Sequence, residues 1–349
     1  MHLPGDPSVV TIRDVAARAG VALSSVSRVL SDHPDVSAAM RARVERAAAE
    51  LGYEPDLLAQ SLRLGSTRTV GFLLRDISNP LFATIARRCE QELRRSGYSM
   101  LLTNSDGDVG AELKNLTLLR RRRVDGVIAS LASETAETTR SALAELRVPV
   151  VLLDREVGGL SAGAVLCDHY TGVLTAVSEL LRRGHHHVGL VTGSLDVRSS
   201  RERRRGYVAA HAAAGVPVNE SMQSFGGFDE GFAKSEFVRM MSRSPAPTAL
   251  ISGGVGSTAG ALRALRQLGR KPGVDIALIV LDEWPLFDVS TPDLASVARD
   301  ADEIGTSSAR LLLDMLAGGE PQTLTVDTIF TPRASITTLA ATSAEHQPT

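Results

Sequence analysis

A chain of 349 residues, 43% apolar and 22% charged with a net charge of −2, is long enough for two or three domains with ordinary cores. It lacks the global positive charge that would announce nucleic acid or an anionic membrane. Its two cysteines, Cys89 and Cys167, show neither CxxC nor metal-ligand spacing, which excludes a disulfide scaffold and points to a reducing cytoplasm. No apolar run reaches the roughly 20 residues of a membrane helix, the N-terminus lacks a charged-then-apolar signal texture, and its Pro and Gly make residues 1–9 read as a flexible lead-in.

Residues 10–55 predict a helix-turn-helix with a third supporting helix. Apolar residues recur at Ile12, Val15, Ala16 and Ala19, with Thr11 at the N-cap position and Gly20 just past the end. After a short turn, Val26, Val29 and Leu30 repeat the pattern, while Ser24, Ser25, Ser27 and Arg28 face away. A short helix that buries one side and offers hydroxyls and a guanidinium on the other suits the DNA major groove. Ser37 caps a third helix striped by Val44, Ala47, Ala48 and Leu51 and closed by Gly52; Met40 leaves its capping box incomplete. Residues 11–64 hold seven arginines against seven acids, so any phosphate attraction is local. Residues 56–68 read as a hinge and linker, with Asp56 capping a short helix from Leu57 to Leu64 that has no core of its own.

From residue 69 the texture becomes short apolar runs alternating with amphipathic helices: TVGFLL, YSMLLT, DGVIAS, VPVVLL, HVGLVT, TALIS and DIALIVL. This is βαβ alternation. The expected fold is therefore an all-α headpiece plus an α/β core, residues 69–335, of two doubly wound parallel-sheet subdomains. The break is expected near 160 and a return of the chain near 290, with residues 336–349 a flexible tail. Ligands in such folds sit at the carboxyl ends of the strands.

A likeness to a known family runs through the chain in order: TIRDVAARAGVALSSVSRVL, VSAAMRARVERAAAELGYEPDLLAQSLR, TRTVGFLLRDISNPLFA, RRRRVDGVIAS, VPVVLLDR, RRGHHHVGLVTG and SSRERRRGY. Over roughly residues 10–335 it resembles LacI/GalR-type bacterial transcription regulators. The resemblance implies a core like the periplasmic sugar-binding proteins and a homodimer on pseudopalindromic double-stranded operator DNA, acting most simply as a repressor. It places Leu23, Ser24 and Arg28 at base edges, where Arg28 has two donors for guanine O6 and N7. Ser25 shares their polar face. Thr11, Ser27, Ser31 and Tyr53 fall at phosphate-contacting positions. Ala59 and Leu62 fall where the linker enters the minor groove. Ala22 replaces the usual Ser at the start of the second helix, and Asp32 and Asp35 add negative charge, so weaker binding with a shallower salt dependence is expected.

The same resemblance puts a small-molecule effector between the subdomains, against Arg75, Asn79, Leu81, Phe82, Ser130, Asp154, Arg201, Phe228 and Asp282, with Trp284 close by. Several residues depart from the family's pattern. Gly253-Gly254 replaces a common Asn-Asp, Val280-Leu281 replaces the Gly before Asp282, and Ala298-Arg299 replaces a usual Arg-Gln. The effector is then a sugar, or an atypical anionic or aromatic ligand held by Arg75, Arg201 or Arg299. No cofactor, metal or catalytic residue is expected.

Other readings remain in view. An effector-independent or protein-modulated regulator fits the same headpiece. Gly254, Gly256 and Ala259 match the G-x-G-x-x-A dinucleotide pattern, with Asp282 some twenty residues on, but too late in the fold for the usual first βαβ unit. His185-His186-His187 reads as a surface run at a strand entry, and Arg120–Arg123 and Arg203–Arg205 as solvated helix faces.

Overall fold

The computed structural model describes residues 10–30, 35–53, 65–284 and 292–339, and the chain divides into two units at Thr67/Arg68. The first unit is α1 (Ile12–Ala19), α2 (Leu23–Leu30) and α3 (Ala38–Leu51). At its start the N–H and hydroxyl of Thr11 both donate to the Asp14 carboxylate, at 2.8 and 2.7 Å, which places a negative charge in the first turn. Gly20 and Gly52 close α1 and α3 in the left-handed region, each at φ 62°. The Ser37 hydroxyl accepts from the Met40 N–H at 3.3 Å, as the sequence suggests. Val15, Ala16, Ala19, Val26, Val29, Val44 and Ala47 form its core. The predicted hinge helix, with Ser31, Ala59 and Leu62, lies outside the described residues.

The second unit contains two six-stranded sheets. The first is β1 (Thr69–Leu74), β2 (Ser99–Asn104), β3 (Gly126–Ala129), β4 (Val150–Leu153), β5 (Gly163–Cys167) and β11 (Thr323–Val326), all parallel, in the order β11-β5-β4-β3-β1-β2. Side-chain alternation along β1 sends Val70, Phe72 and Leu74 to one face, against α4 (Pro80–Arg95) and α11 (Ala301–Leu316). Leu73 goes to the other face, against α5 (Val109–Arg121) and α6 (Glu137–Ala144). The second sheet is β6 (Val188–Gly193), β7 (Gln223–Gly226), β8 (Ala249–Ser252), β9 (Ala277–Leu281), β10 (Ala295–Arg299) and β12 (Thr328–Thr331), in the order β12-β10-β9-β8-β6-β7, with only β12 antiparallel. Helices α7 (His169–Arg182) and α8 (Arg198–Ala213) cover one face, and α9 (Glu230–Met241) and α10 (Val255–Gln267) the other.

The subdomain boundaries shift from expectation for a topological reason. Strand β5 extends the first sheet, so the chain changes sheets at Asp168 rather than near 160. It returns at Asp300, after β10, and crosses a third time at Asp327 between β11 and β12. Residues 336–339 are not the start of a tail. Ile336 is buried against the second sheet, and the Leu339 N–H donates to the Arg183 carbonyl at 3.0 Å. In each sheet the second strand lies on one side of the first and the third on the other. This switch point, β1/β3 and again β6/β8, is where α/β sheets bind ligands.

Candidate functional site

On the headpiece, Val26 and Val29 point inward and leave Leu23, Ser24 and Arg28 exposed, with Leu23 44% exposed despite its apolar side chain. Ser25 and Ser27 are half-buried on the same helix, and Thr11 is exposed at the start of α1. Tyr53 packs on the headpiece core. Ala22 supplies only a carbonyl, which accepts the N–H groups of Ser25 and Val26 at 2.9 and 3.2 Å.

In the second unit the strand ends build a charged cluster. Asp154 follows β4 and Asp282 follows β9, and their N–H groups donate to equivalent positions of the next strand, Val165 and Val297. Both have positive φ, 52° and 85°, and they are the only buried non-glycine residues among those described that do. Such backbone costs about 1–3 kcal/mol per residue and collects at functional sites. Arg299, at the end of β10, joins the two. Its Nε and Nη2 hold both Asp282 oxygens at 2.7 and 2.8 Å, and its Nη1 reaches Asp154 Oδ2 at 3.0 Å. His169 Nε2 lies 2.7 Å from the same Asp154 oxygen.

Burial disfavours charge on every member, and the partners decide the outcome. Burial and the neighbouring arginines push His169 down to about 4, so it is neutral at pH 7 and donates to an ionised Asp154. Burial would raise both aspartates, but the His169 contact and then Arg299 hold Asp154 down, and Arg299 and Arg203 hold Asp282 down, below the usual carboxylate range. Burial also pushes the Cys167 thiol up to about 12. Asp154, Cys167 and His169 place donor atoms within 4.8 Å of one another, yet the guanidinium of Arg299 already supplies the positive charge there.

Arg75, Asn79, Phe82, Asp154, Phe228 and Asp282 are brought together around this cluster, in a cavity of about 50 Å³. Asn79 caps α4, its side chain accepting from the Leu81 N–H at 3.1 Å. Four other candidates stand apart. Leu81 is in the first subdomain's core, and Ser130 is fully buried at the end of β3. Trp284 packs against the core beneath α9 and α10. Arg201 turns away to Glu134, 2.6 Å from its Oε2.

Arg203 takes the place expected of Arg201, and it is buried rather than on a solvated face. Its Nη1 donates to the Gly253 carbonyl at 2.8 Å, and its Nη2 is 3.9 Å from Asp282. The signal was the helical stripe: Ser199, Arg203, Gly206, Tyr207 and Ala210 share one buried face of α8, and Arg201 is off it. Gly206 fixes that face, since a Cβ there would lie 2.4 Å from the Tyr170 carbonyl oxygen. Arg155 and His169 carried no such signal. The histidine run is likewise not all surface: His185 is buried, bonded to Thr248 Oγ1 at 3.1 Å and the Thr337 carbonyl at 2.8 Å. Arg120–Arg123 are exposed, as expected.

The glycine loop after β8 is explained by packing. A Cβ on Gly256 would lie 2.7 Å from the Phe228 carbonyl oxygen, and one on Gly253 only 2.5 Å from Thr192 Cα. Gly254 adopts φ 148°, which side-chain-bearing residues rarely do. Restoring a family-like asparagine with Gly253→Asn is therefore expected to cost about 1–3 kcal/mol by overpacking. Urea titration of the variant checks it, and an unchanged midpoint would show that the backbone at Thr192 yields.

The sequence profile of the lacI family of bacterial regulatory proteins matches residues 11–56, and that of a periplasmic binding protein-like domain matches residues 177–336. The ribose operon repressor of Escherichia coli strain K12 is 32% identical over 306 residues, 87% of this chain and 92% of its own. Two solved structures are similar along most of the chain. The transcriptional regulator CelR–cellobiose complex has 28% identity and a TM-score of 0.71, covering 93% of this chain and 99% of that one. The lac repressor dimer bound to operator and the anti-inducer ONPF has 25% identity and a TM-score of 0.81, covering 95% and 100%. A helix-turn-helix headpiece and a ligand cleft at strand ends define a DNA-binding transcriptional regulator controlled by a small-molecule effector. The chain belongs to the lacI family of bacterial regulatory proteins.

Proposed function

We propose that this protein is a cytoplasmic, non-enzymatic repressor that binds a pseudopalindromic operator as a homodimer and is switched by a small molecule held in the cleft around Asp154, Asp282 and Arg203. The observation that carries the DNA half is the geometry of α2, which buries Val26 and Val29 and leaves Leu23, Ser24 and Arg28 exposed. In this reading those three contact base edges, with Thr11, Ser25, Ser27, Ser31 and Tyr53 toward the backbone and Ala59 and Leu62 in the minor groove. The solved lac repressor as a dimer on its operator supports the assembly, and CelR with cellobiose supports a sugar-sized effector. Effector binding changes the angle between two subdomains joined by three chain crossings, a two-state element able to alter operator affinity.

Arg28→Ala tests the assignment, on sites selected from random duplexes and read by fluorescence anisotropy. Losing a bidentate contact to guanine costs about 1–3 kcal/mol, roughly 5- to 150-fold in affinity, and relaxes preference at one base pair. A uniform loss across all sequences with a shallower salt slope would make Arg28 a phosphate contact instead.

A further inference from the structure

The donors and acceptors in the cleft are unbalanced. A site for a neutral sugar needs carboxylate oxygens free to accept from hydroxyls. Here Asp282 is held bidentate by Arg299, and Asp154 accepts from Arg299, His169 and the Cys167 N–H. The donor side is underused. The Arg75 guanidinium sits 4.7 Å above the Phe228 ring and makes no hydrogen bond among the described residues. Arg203, its side chain only 3% exposed, has a buried Nε without a hydrogen-bond partner among the described residues. The lining carries four arginines, Arg75, Arg155, Arg203 and Arg299, against three aspartates, Asp76, Asp154 and Asp282.

A Cβ on Gly193 would meet the Phe228 ring at 1.9 Å, so only glycine admits that ring beside Arg75 and Arg203, whose guanidinium is 5.8 Å from the same ring. The cavity of about 50 Å³ has room for about four waters, or for the few heavy atoms of one acid group.

We propose that the effector of this cleft is a small anion, a phosphorylated or carboxylated metabolite whose acid group lies between Arg75 and Arg203 at the Phe228 ring. The proposal rests on the reading of the cleft as the effector site. An arginine fork recognises phosphate and carboxylate alike through paired charge-assisted hydrogen bonds. Arg299 serves as the fixed internal partner of the two aspartates, a role that sugar hydroxyls would otherwise fill.

The test is calorimetric titration of the full-length protein with inorganic phosphate and with pairs that differ in charge: ribose and ribose 5-phosphate, glucose and gluconate. At least one acid member is expected to bind about tenfold or more tighter than its neutral partner. Arg75→Gln abolishes that preference and Arg75→Lys keeps part of it. Arg204→Gln, a half-buried arginine of the same helix as Arg203 that is paired with Glu220 outside the cleft, leaves it intact. The phosphate and gluconate arms tell the two acid groups apart. Equal or tighter binding of a neutral partner overturns the anion proposal while the cleft reading stands. Anion binding that survives Arg75→Gln overturns it too. No binding by any acid probe at about 10 mM rejects the anion proposal, and silence of the neutral sugars as well removes support from the cleft reading.

Discussion

Arg299→Ala is expected to destabilise the second unit by about 3–5 kcal/mol, the usual cost of removing one partner from a buried ion pair. Asp154 and Asp282 have side chains 8% and 5% exposed, and Arg299 is bonded to both. Without it both carboxylates stay buried, Asp282 with Arg203 at 3.9 Å and Asp154 with His169 at 2.7 Å and Arg198 at 3.8 Å. For a unit of this size the melting temperature falls by on the order of 10 °C. The pH dependence gives the sign of the effect. In the parent protein both aspartates have folded pKa values below their unfolded ones, so their stabilisation is present at neutral pH and is lost only as pH falls below the unfolded carboxylate range. In the variant, burial without Arg299 is expected to raise the Asp282 carboxyl above its unfolded value, because Arg299 is the foremost group holding it down. The folded state then binds the extra proton, and stability rises as pH falls. The gap between parent and variant should therefore narrow from pH 8 to pH 5. Denaturant titrations at both pH values measure it. A gap under about 1 kcal/mol at pH 8, or one that widens on acidification, would remove Arg299 as the keystone of the cluster.

Periodicity showed the headpiece and seven of the strands because each is a local pattern. TVGFLL is β1 residue for residue, and the stripe through Val15, Val26 and Val44 is the headpiece core. What escaped were elements defined by partners. Strand β5, GAVLC, is a short fully buried run with no alternation, and β11 and β12 are four-residue edge strands that exist because β5 and β10 offer open edges. The same distinction holds in the cleft. Asp154 and Asp282 were legible through the family resemblance, which carries those two strand-end positions over in register. Arg203 was hidden in a run of arginines, where choosing the wrong member amounts to misplacing the helix face by about 200° at 3.6 residues per turn. His169 and Arg155 depend on the packing of a neighbouring strand end, which no local pattern encodes.

Val26→Asp should abolish operator binding and unfold residues 10–53 while the melting of the second unit stays unchanged. Val26 is fully buried in a core of seven described residues, all valine or alanine. Units this small bury only about 60% of the surface their unfolded chain exposes, so their stability is marginal. An ionised carboxylate there would sit among those apolar side chains, and the cost of several kcal/mol exceeds what such a core supplies. The second unit has four core clusters of its own, none of which includes a headpiece residue. Limited proteolysis should then release the N-terminal segment from an intact core, and calorimetry should show the main transition in place. Ser24→Asp provides the contrast: the same charge two residues earlier, on the exposed face of the same helix, weakens DNA binding by repelling phosphate but leaves the headpiece protected from protease. If Val26→Asp instead kept a protease-resistant headpiece, the buried face of α2 would be misassigned, and with it the exposed face from which Leu23, Ser24 and Arg28 are proposed to read DNA. The fold of the small unit and the identity of its DNA-reading surface therefore stand or fall on the same helix register.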